Sequence, residues 1–177
     1  MTTATELATI VDLERQPGRC ELIDGEIITM SPTGYEHADI EGQIGFLLRG
    51  HCQATGQGRV LVGDPGFILD ERNVRAPDVA VIDLEQRRQV PVRGFMPFVP
   101  RLAVEVVSPG DGWSEVKAKA ALWIHHGVRL VWVVDPQTRT VEVHAPGRQT
   151  VVLDESDTVD GAEVLPGFTC AVAEFFA

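Results

Sequence analysis

The chain has 177 residues, 44% of them hydrophobic, and carries 26 acids against 15 bases for a formal net charge of −11. That is enough apolar sequence for one packed domain without disulfides or a structural metal. The charge argues against a protein that coats nucleic acid through a broad basic field.

Residues 5–14 predict a short helix, ended by Pro17-Gly18. Residues 19–30 read as two short strands around Asp24-Gly25, a strong hairpin signal. Ser31-Pro32-Thr33-Gly34 is a turn. Residues 36–55 predict a long helix, with Ile40, Ile44, Leu47, Leu48 and Cys52 forming one apolar stripe and Gly56 stopping it. Strands are expected at 60–62, 66–69 and 79–82, the last entered through Pro77-Asp78. Residues 83–100 form an insert with little periodicity. Leu102-Ala103-Val104-Glu105-Val106-Val107 is apolar on both faces except for Glu105, the pattern of a strand in the middle of a covered sheet. A second helix is expected over 113–126, then strands over 128–134 and 141–144, and short strands in a tail over 149–177. The order implies one domain over 1–177, with a core of about 19–145, in the α/β class bordering on α+β. Its centre would be a mixed sheet flanked by helices, with extra N- and C-terminal strands.

Cys20, Cys52 and Cys170 are odd in number and widely spaced, so buried thiols are expected rather than a disulfide framework. Neither a secretory leader nor an apolar run of about 18 residues is visible, and a cytoplasmic protein without a membrane segment is expected.

Three features depart from ordinary patterning. Glu105 places a carboxylate inside an apolar strand, which costs several kcal/mol unless it is paired, hydrogen-bonded or bound to a cation. Asp78 follows Pro77 at a strand boundary, which alone is ordinary turn chemistry. Lys117 and Lys119 are the only lysines in a chain whose other thirteen bases are arginine. Lys119 shares a helix face with Trp123. Singly, each has a plain structural explanation. Jointly, two carboxylates and an ammonium are the set that hydrolyses a phosphodiester. The acids offer hard oxygen ligands to Mg²⁺ or Mn²⁺, and the ammonium stabilises charge on the attacking water or the phosphate.

Glu21-Leu22-Ile23-Asp24-Gly25-Glu26, Ser31-Pro32, His37, Pro77-Asp78, Glu105-Val106-Val107-Ser108-Pro109, Lys119, Gly127-Val128, Trp132-Val133-Val134-Asp135-Pro136 and Leu165-Pro166-Gly167-Phe168 occur in this order. The set resembles the Uma-type family of restriction-endonuclease-like proteins, within the PD-(D/E)XK nuclease superfamily. The resemblance runs from about residue 19 to the end. It implies a DNA substrate, a Mg²⁺ (or Mn²⁺) cofactor and a homodimer. It also implies Asp78 and Glu105 as catalytic acids, with the Val106 carbonyl as a third metal ligand. The superfamily's usual lysine position, two residues after the second acid, is Val107 here. Lys119 matches the lysine that has moved to the following helix, eight residues before Gly127. Lys117 would point about 200° away around the helix.

Secondary candidates are Glu21, His37, Glu41 and Ser108, each with a plain alternative: an arginine pair for Glu21, a solvated helix start for His37 and Glu41, a turn for Ser108. Residues 86–101 hold four arginines and no acid, which makes Arg87, Arg88 and Arg93 candidate phosphate contacts. The acidity is uneven: residues 1–26 carry −4, 149–177 carry −6, and 27–148 only −1. A local metal-bridged phosphate site is compatible with that distribution. Two other classes remain open on these grounds: a nuclease-fold binding or regulatory module without catalysis, and a metal-dependent hydrolase of small phosphorylated substrates.

Overall fold

A computed structural model describes residues 7–91 and 93–177. Its centre is a six-stranded sheet with spatial order β10-β9-β8-β7-β6-β3. The strands are β3 (Arg59–Val62), β6 (Val79–Ile82), β7 (Leu102–Val106), β8 (Leu130–Asp135), β9 (Thr140–His144) and β10 (Val151–Leu153). Only β7 and β8 pair in parallel; the other neighbours are antiparallel. A parallel pair needs a crossover, and α4 (Trp113–His125) supplies it. A second sheet, ordered β2-β1-β5-β4, joins β1 (Cys20–Ile23), β2 (Glu26–Thr29), β4 (Phe67–Asp70) and β5 (Asn73–Arg75). The β1–β2 hairpin turns through Asp24 and Gly25 with φ of 50° and 82°, the two positive values that its tight turn requires.

The pleat of the central sheet sorts its side chains. Val79, Val81, Leu102, Val104, Val106, Leu130, Trp132 and Val134 face α2 (Tyr35–Thr55), joining Ile40, Ile44 and Leu48 in one core. Ala80, Ile82, Ala103, Val131 and Val133 face α4, joining Val116, Ala120 and Trp123 in another. Successive strand residues point to opposite faces. Glu105 therefore points toward α4, and it does so from a strand whose five residues are all buried. The residues after β10 close the α2 core with Val159, Phe168 and Phe175 around Trp132. They include β11 (Thr158–Asp160), β12 (Thr169–Ala171) and a final 3₁₀ helix, Val172–Phe176.

Several elements differ from the sequence reading. The first helix is α1 (Ile10–Glu14), shorter than 5–14 because Thr9 and Asp12 form a capping box that fixes its start; residues 5 and 6 lie outside the described residues. The insert over 83–100 contains a helix, α3 (Leu84–Arg88). Asp83 Oδ1 accepts from the Gln86 N–H at 2.7 Å while Gln86 Oε1 accepts from the Asp83 N–H at 3.0 Å. That reciprocal cap is a local signal independent of apolar periodicity. Asn73–Arg75, outside the expected strands, forms β5, and the Phe175-Phe176 end lies in the final 3₁₀ helix. None of the described helices is long and apolar enough to cross a membrane.

Gly58, just before β3, fits because it lacks a side chain. A Cβ there would lie 2.5 Å from the Ile82 carbonyl oxygen and 3.3 Å from Val81 Cγ1. Gly58→Ala is expected to lower stability by about 1–3 kcal/mol through overpacking. Urea unfolding checks this, as a lower midpoint at unchanged slope.

Candidate active site

Asp78 stands one residue before β6, and Glu105 is the fourth residue of β7. Val79 pairs with Val104, so the antiparallel register brings Asp78 to the same sheet end as Glu105. Pro77 has no N–H to continue the ladder. The Asp78 carboxylate takes over: Oδ2 accepts from the Val106 N–H at 2.6 Å.

Glu105 lodges between two donors from one face of α4. Lys119 Nζ lies 2.6 Å from Oε2, and Trp123 Nε1 donates to Oε1 at 2.6 Å. Burial pushes the Glu105 carboxyl up to about 7, against the pull of the Lys119 ammonium and with help from the nearby Asp78 and Glu21 charges. For Lys119, burial opposes the charge, but Glu105, Glu21 and Asp78 outweigh it and hold its pKa above the usual lysine value. Lys119 is thus an ammonium at neutral pH. Lys117, two residues away, is exposed and stands over the Trp113 ring, 5.7 Å from its centroid.

Glu21, on β1, is buried. Its Oε1 accepts from the Ala76 N–H at 2.7 Å and lies 4.0 Å from Lys119 Nζ; its Oε2 is 3.3 Å from Arg75 Nε. The arginine pair and the approach to Lys119 are both present.

On the other sheet face, α2 carries His37 and Glu41 one turn apart, both buried rather than solvated. His37 Nε2 lies 3.3 Å from Asp78 Oδ1, and Glu41 Oε1 accepts from the Gly63 N–H at 2.8 Å. Ligand atoms of His37, Glu41 and Asp78 all lie within 4.8 Å of one another. Burial disfavours the charged His37 ring, but hydrogen bonding and charge from Asp78, with Glu41 behind, raise its pKa above the usual histidine value. Burial raises Glu41, and Asp78 and Asp64 add to it. His37 Nδ1 is buried with no hydrogen-bond partner among the described residues. Two carboxylates and an imidazole at this spacing, with the Glu41 carboxyl driven toward protonation by burial, suit a divalent cation. The oxygens match Mg²⁺ or Mn²⁺, and the imidazole tilts the set toward Mn²⁺.

His37, Asp64, Asp78, Glu105 and Lys119 line a cavity of about 510 Å³, with Val106 and Ser108 in its wall, whereas Glu21 and Glu41 are not part of its lining. Ser108 turns the chain out of β7, its N–H donating to Asp111 Oδ2 at 2.9 Å. The three arginines assigned to phosphate do not line this cavity. β6 leads away from Asp78, and α3, with Arg87 and Arg88 exposed on it, follows the far end of that strand. Arg93 is exposed beside Gly94, where Glu14 packs. The cavity's arginine is Arg19, ion-paired with Asp64. Sequence reasoning missed both. Gly63-Asp64-Pro65 reads as a turn, and only the positive φ of 57° at Asp64 marks it as special. Arg19 had one signal, its place in the hairpin that carries Glu21.

A helix-flanked mixed sheet, with acids at the shared end of its antiparallel β6–β7 pair, defines a nuclease-fold protein. The chain belongs to the Uma2 family, described as "Putative restriction endonuclease", whose sequence profile matches residues 6–173. The fold is similar to the crystal structure of "a putative nuclease belonging to DUF820 from Anabaena variabilis ATCC 29413", with a TM-score of 0.82 at 19% identity, covering 95% of this chain and 97% of that one. No curated protein sequence matches the chain.

The Glu105 carboxyl holds its proton more tightly when folded than when unfolded. Its contribution to stability is therefore full below the ordinary glutamate value of 4.5 and is lost as pH rises through about 7. Glu105→Gln removes that loss. The Tm of the variant relative to wild type is expected to rise from pH 4.5 to above 7. A constant difference across this window, in a series of melting curves without added metal, contradicts the burial argument.

Proposed function

We propose that the protein is a metal-dependent nuclease that hydrolyses phosphodiester bonds of DNA. The observation that carries this reading is the meeting of Asp78, Glu105 and Lys119, from three separate elements, at one cavity. On this reading Asp78 and Glu105, with the Val106 carbonyl and with His37 and Glu41 behind Asp78, would hold Mg²⁺ or Mn²⁺. The bound ion would polarise a phosphoryl oxygen and acidify a water. A cytoplasmic homodimer completes the reading, carried by the family resemblance.

The chain's own residues have separable tasks. Lys119 stays charged, so it serves as a hydrogen-bond donor and a positive charge toward the phosphate oxygens rather than as a base. Trp123 fixes the Glu105 rotamer with its indole N–H, so the acid does not reorganise when substrate arrives. The Val106 N–H does the same for Asp78. Glu21 and Arg75 hold each other near Lys119 and steady the ammonium.

Two outcomes follow. Mn²⁺ is expected to raise the Tm of the wild-type protein, since an ion bound only by the folded state stabilises it, by about 2.7 kcal/mol at a hundredfold excess over Kd. Asp78→Asn should abolish this shift. Lys119→Met should retain the shift yet reduce DNA cleavage by about 10²–10³-fold, the usual loss of one transition-state donor. A wild type with neither a Mn²⁺ shift nor Mn²⁺-dependent cleavage sinks the reading.

A further inference from the structure

Beside the main cavity lies a second of about 230 Å³. The two share Arg19, Met30, Asp64 and Ala76, so the Arg19–Asp64 ion pair stands in the partition between them. Beyond it the walls combine Leu13, Cys20, Met30 and Phe95 with the polar Glu14, Gln16 and Glu21. The Phe95 ring is held against the Gly66 backbone so closely that a Cβ there would fall 2.3 Å from the ring. That makes Phe95 a rigid aromatic wall.

Pockets for drug-sized ligands run from roughly 300 to 1,000 Å³. At 230 Å³ the second cavity suits one ring system. Among the described residues, Arg19 is the one arginine lining the main cavity. Its side chain is 40% exposed, against 16% for Asp64, so the guanidinium can turn from the carboxylate toward an incoming anion. A guanidinium between a phosphodiester site and a hollow that offers an aromatic wall and a carboxylate acceptor suits a nucleotide: phosphate on the cation, base on the Phe95 ring, and the base's N–H groups toward Glu14.

We propose that the 230 Å³ cavity is a subsite for one unpaired nucleobase, and that Arg19 binds the phosphate linking it to the position cleaved. This rests on the nuclease reading and narrows its substrate class. A base within a duplex is stacked and paired and cannot enter such a hollow, so the strand must be single or locally opened there. Stacking on an aromatic wall accepts any base and adds to the contact of Arg19 with phosphate.

The test uses Lys119→Met protein loaded with Mn²⁺, in which cleavage is slowed, and a labelled single-stranded DNA oligonucleotide followed by fluorescence anisotropy. The single strand is expected to bind at least about tenfold more tightly than its duplex, the gain from one base stack. Adding Phe95→Ala should remove that advantage. Gln16, exposed in the wall of the second cavity, hydrogen-bonds among the described residues only within its own helix end. Adding Gln16→Trp should plug the hollow and also bring the single strand to duplex affinity, at a Tm matching the parent. In an otherwise wild-type protein, Gln16→Trp should leave Mn²⁺-dependent hydrolysis of bis(p-nitrophenyl) phosphate, an ester without a base, at the wild-type rate. Equal binding of single strand and duplex by a protein that hydrolyses this ester overturns the subsite alone, as does undiminished single-strand binding by a folded Gln16→Trp variant. A wild type inert toward both the ester and DNA overturns the nuclease reading, and the subsite with it.

Discussion

A carboxylate sealed inside a β-sheet is the constraint around which this molecule is arranged. Glu105 sits in the third-last layer of strands, flanked by β6 and β8, and its burial disfavours ionisation. Apolar residues of similar volume commonly serve stability as well as a buried ion pair, or better, while half a pair is worse than either. The chain instead supplies two donors, Lys119 Nζ and Trp123 Nε1, both at 2.6 Å. They lie one turn apart on α4, so a single helix position satisfies both oxygens. The parallel β7–β8 pair requires a crossover helix, and the register of that helix is tied to the acid beneath it.

The site is assembled from both faces of the sheet, which the pleat ordinarily keeps apart. Glu105 faces α4; His37 and Glu41 come from α2 on the opposite face. Asp78 can join them because it lies outside β6, where ladder pairing has stopped at Pro77 and the side chain is not committed to either face. Its two oxygens divide the work, one to the Val106 N–H and one toward His37. A longer β6 would have carried Asp78 into the pleat and separated the two halves. The end of a strand is here a chemical position as much as a structural boundary.

This explains what was legible in the sequence. Glu105 was visible as the one charge in an apolar strand, and Lys119 through its shared helix face with Trp123 and through the family resemblance. The helices α2 and α4, the hairpin and the mixed sheet followed from periodicity and turn residues. The arginines 87, 88 and 93 do not line the main cavity, because a run of charge says nothing about which end of a sheet it occupies; β6 leads away from Asp78 toward Arg87 and Arg88, while Arg93 adjoins Gly94 and Glu14 near the second cavity. Arg19 and Asp64 were missed for the converse reason. They are separated by 45 positions along the chain and meet only because the second sheet folds its hairpin against the loop after β3. The helix α3 has no apolar periodicity to reveal it; its one sequence signal is the reciprocal cap of Asp83 and Gln86.

The same arrangement gives the net charge a different weight. Acids outnumber cations around the cavity, and the pressure appears as raised carboxyl pKa values at Glu41, Asp64 and Glu105, with burial as the first cause in each. Such a site repels a bare phosphate until a cation enters. Its two cationic side chains are already engaged, Lys119 with Glu105 and Arg19 with Asp64. On the nuclease reading, a divalent ion lowers the negative potential, and phosphate can then compete with Asp64 for Arg19. Affinity for nucleic acid would be conditional on the loaded site rather than spread over the surface. An acidic body then acts as a filter, because contacts away from the cavity add little and the strand must offer both its phosphate and its base to be held.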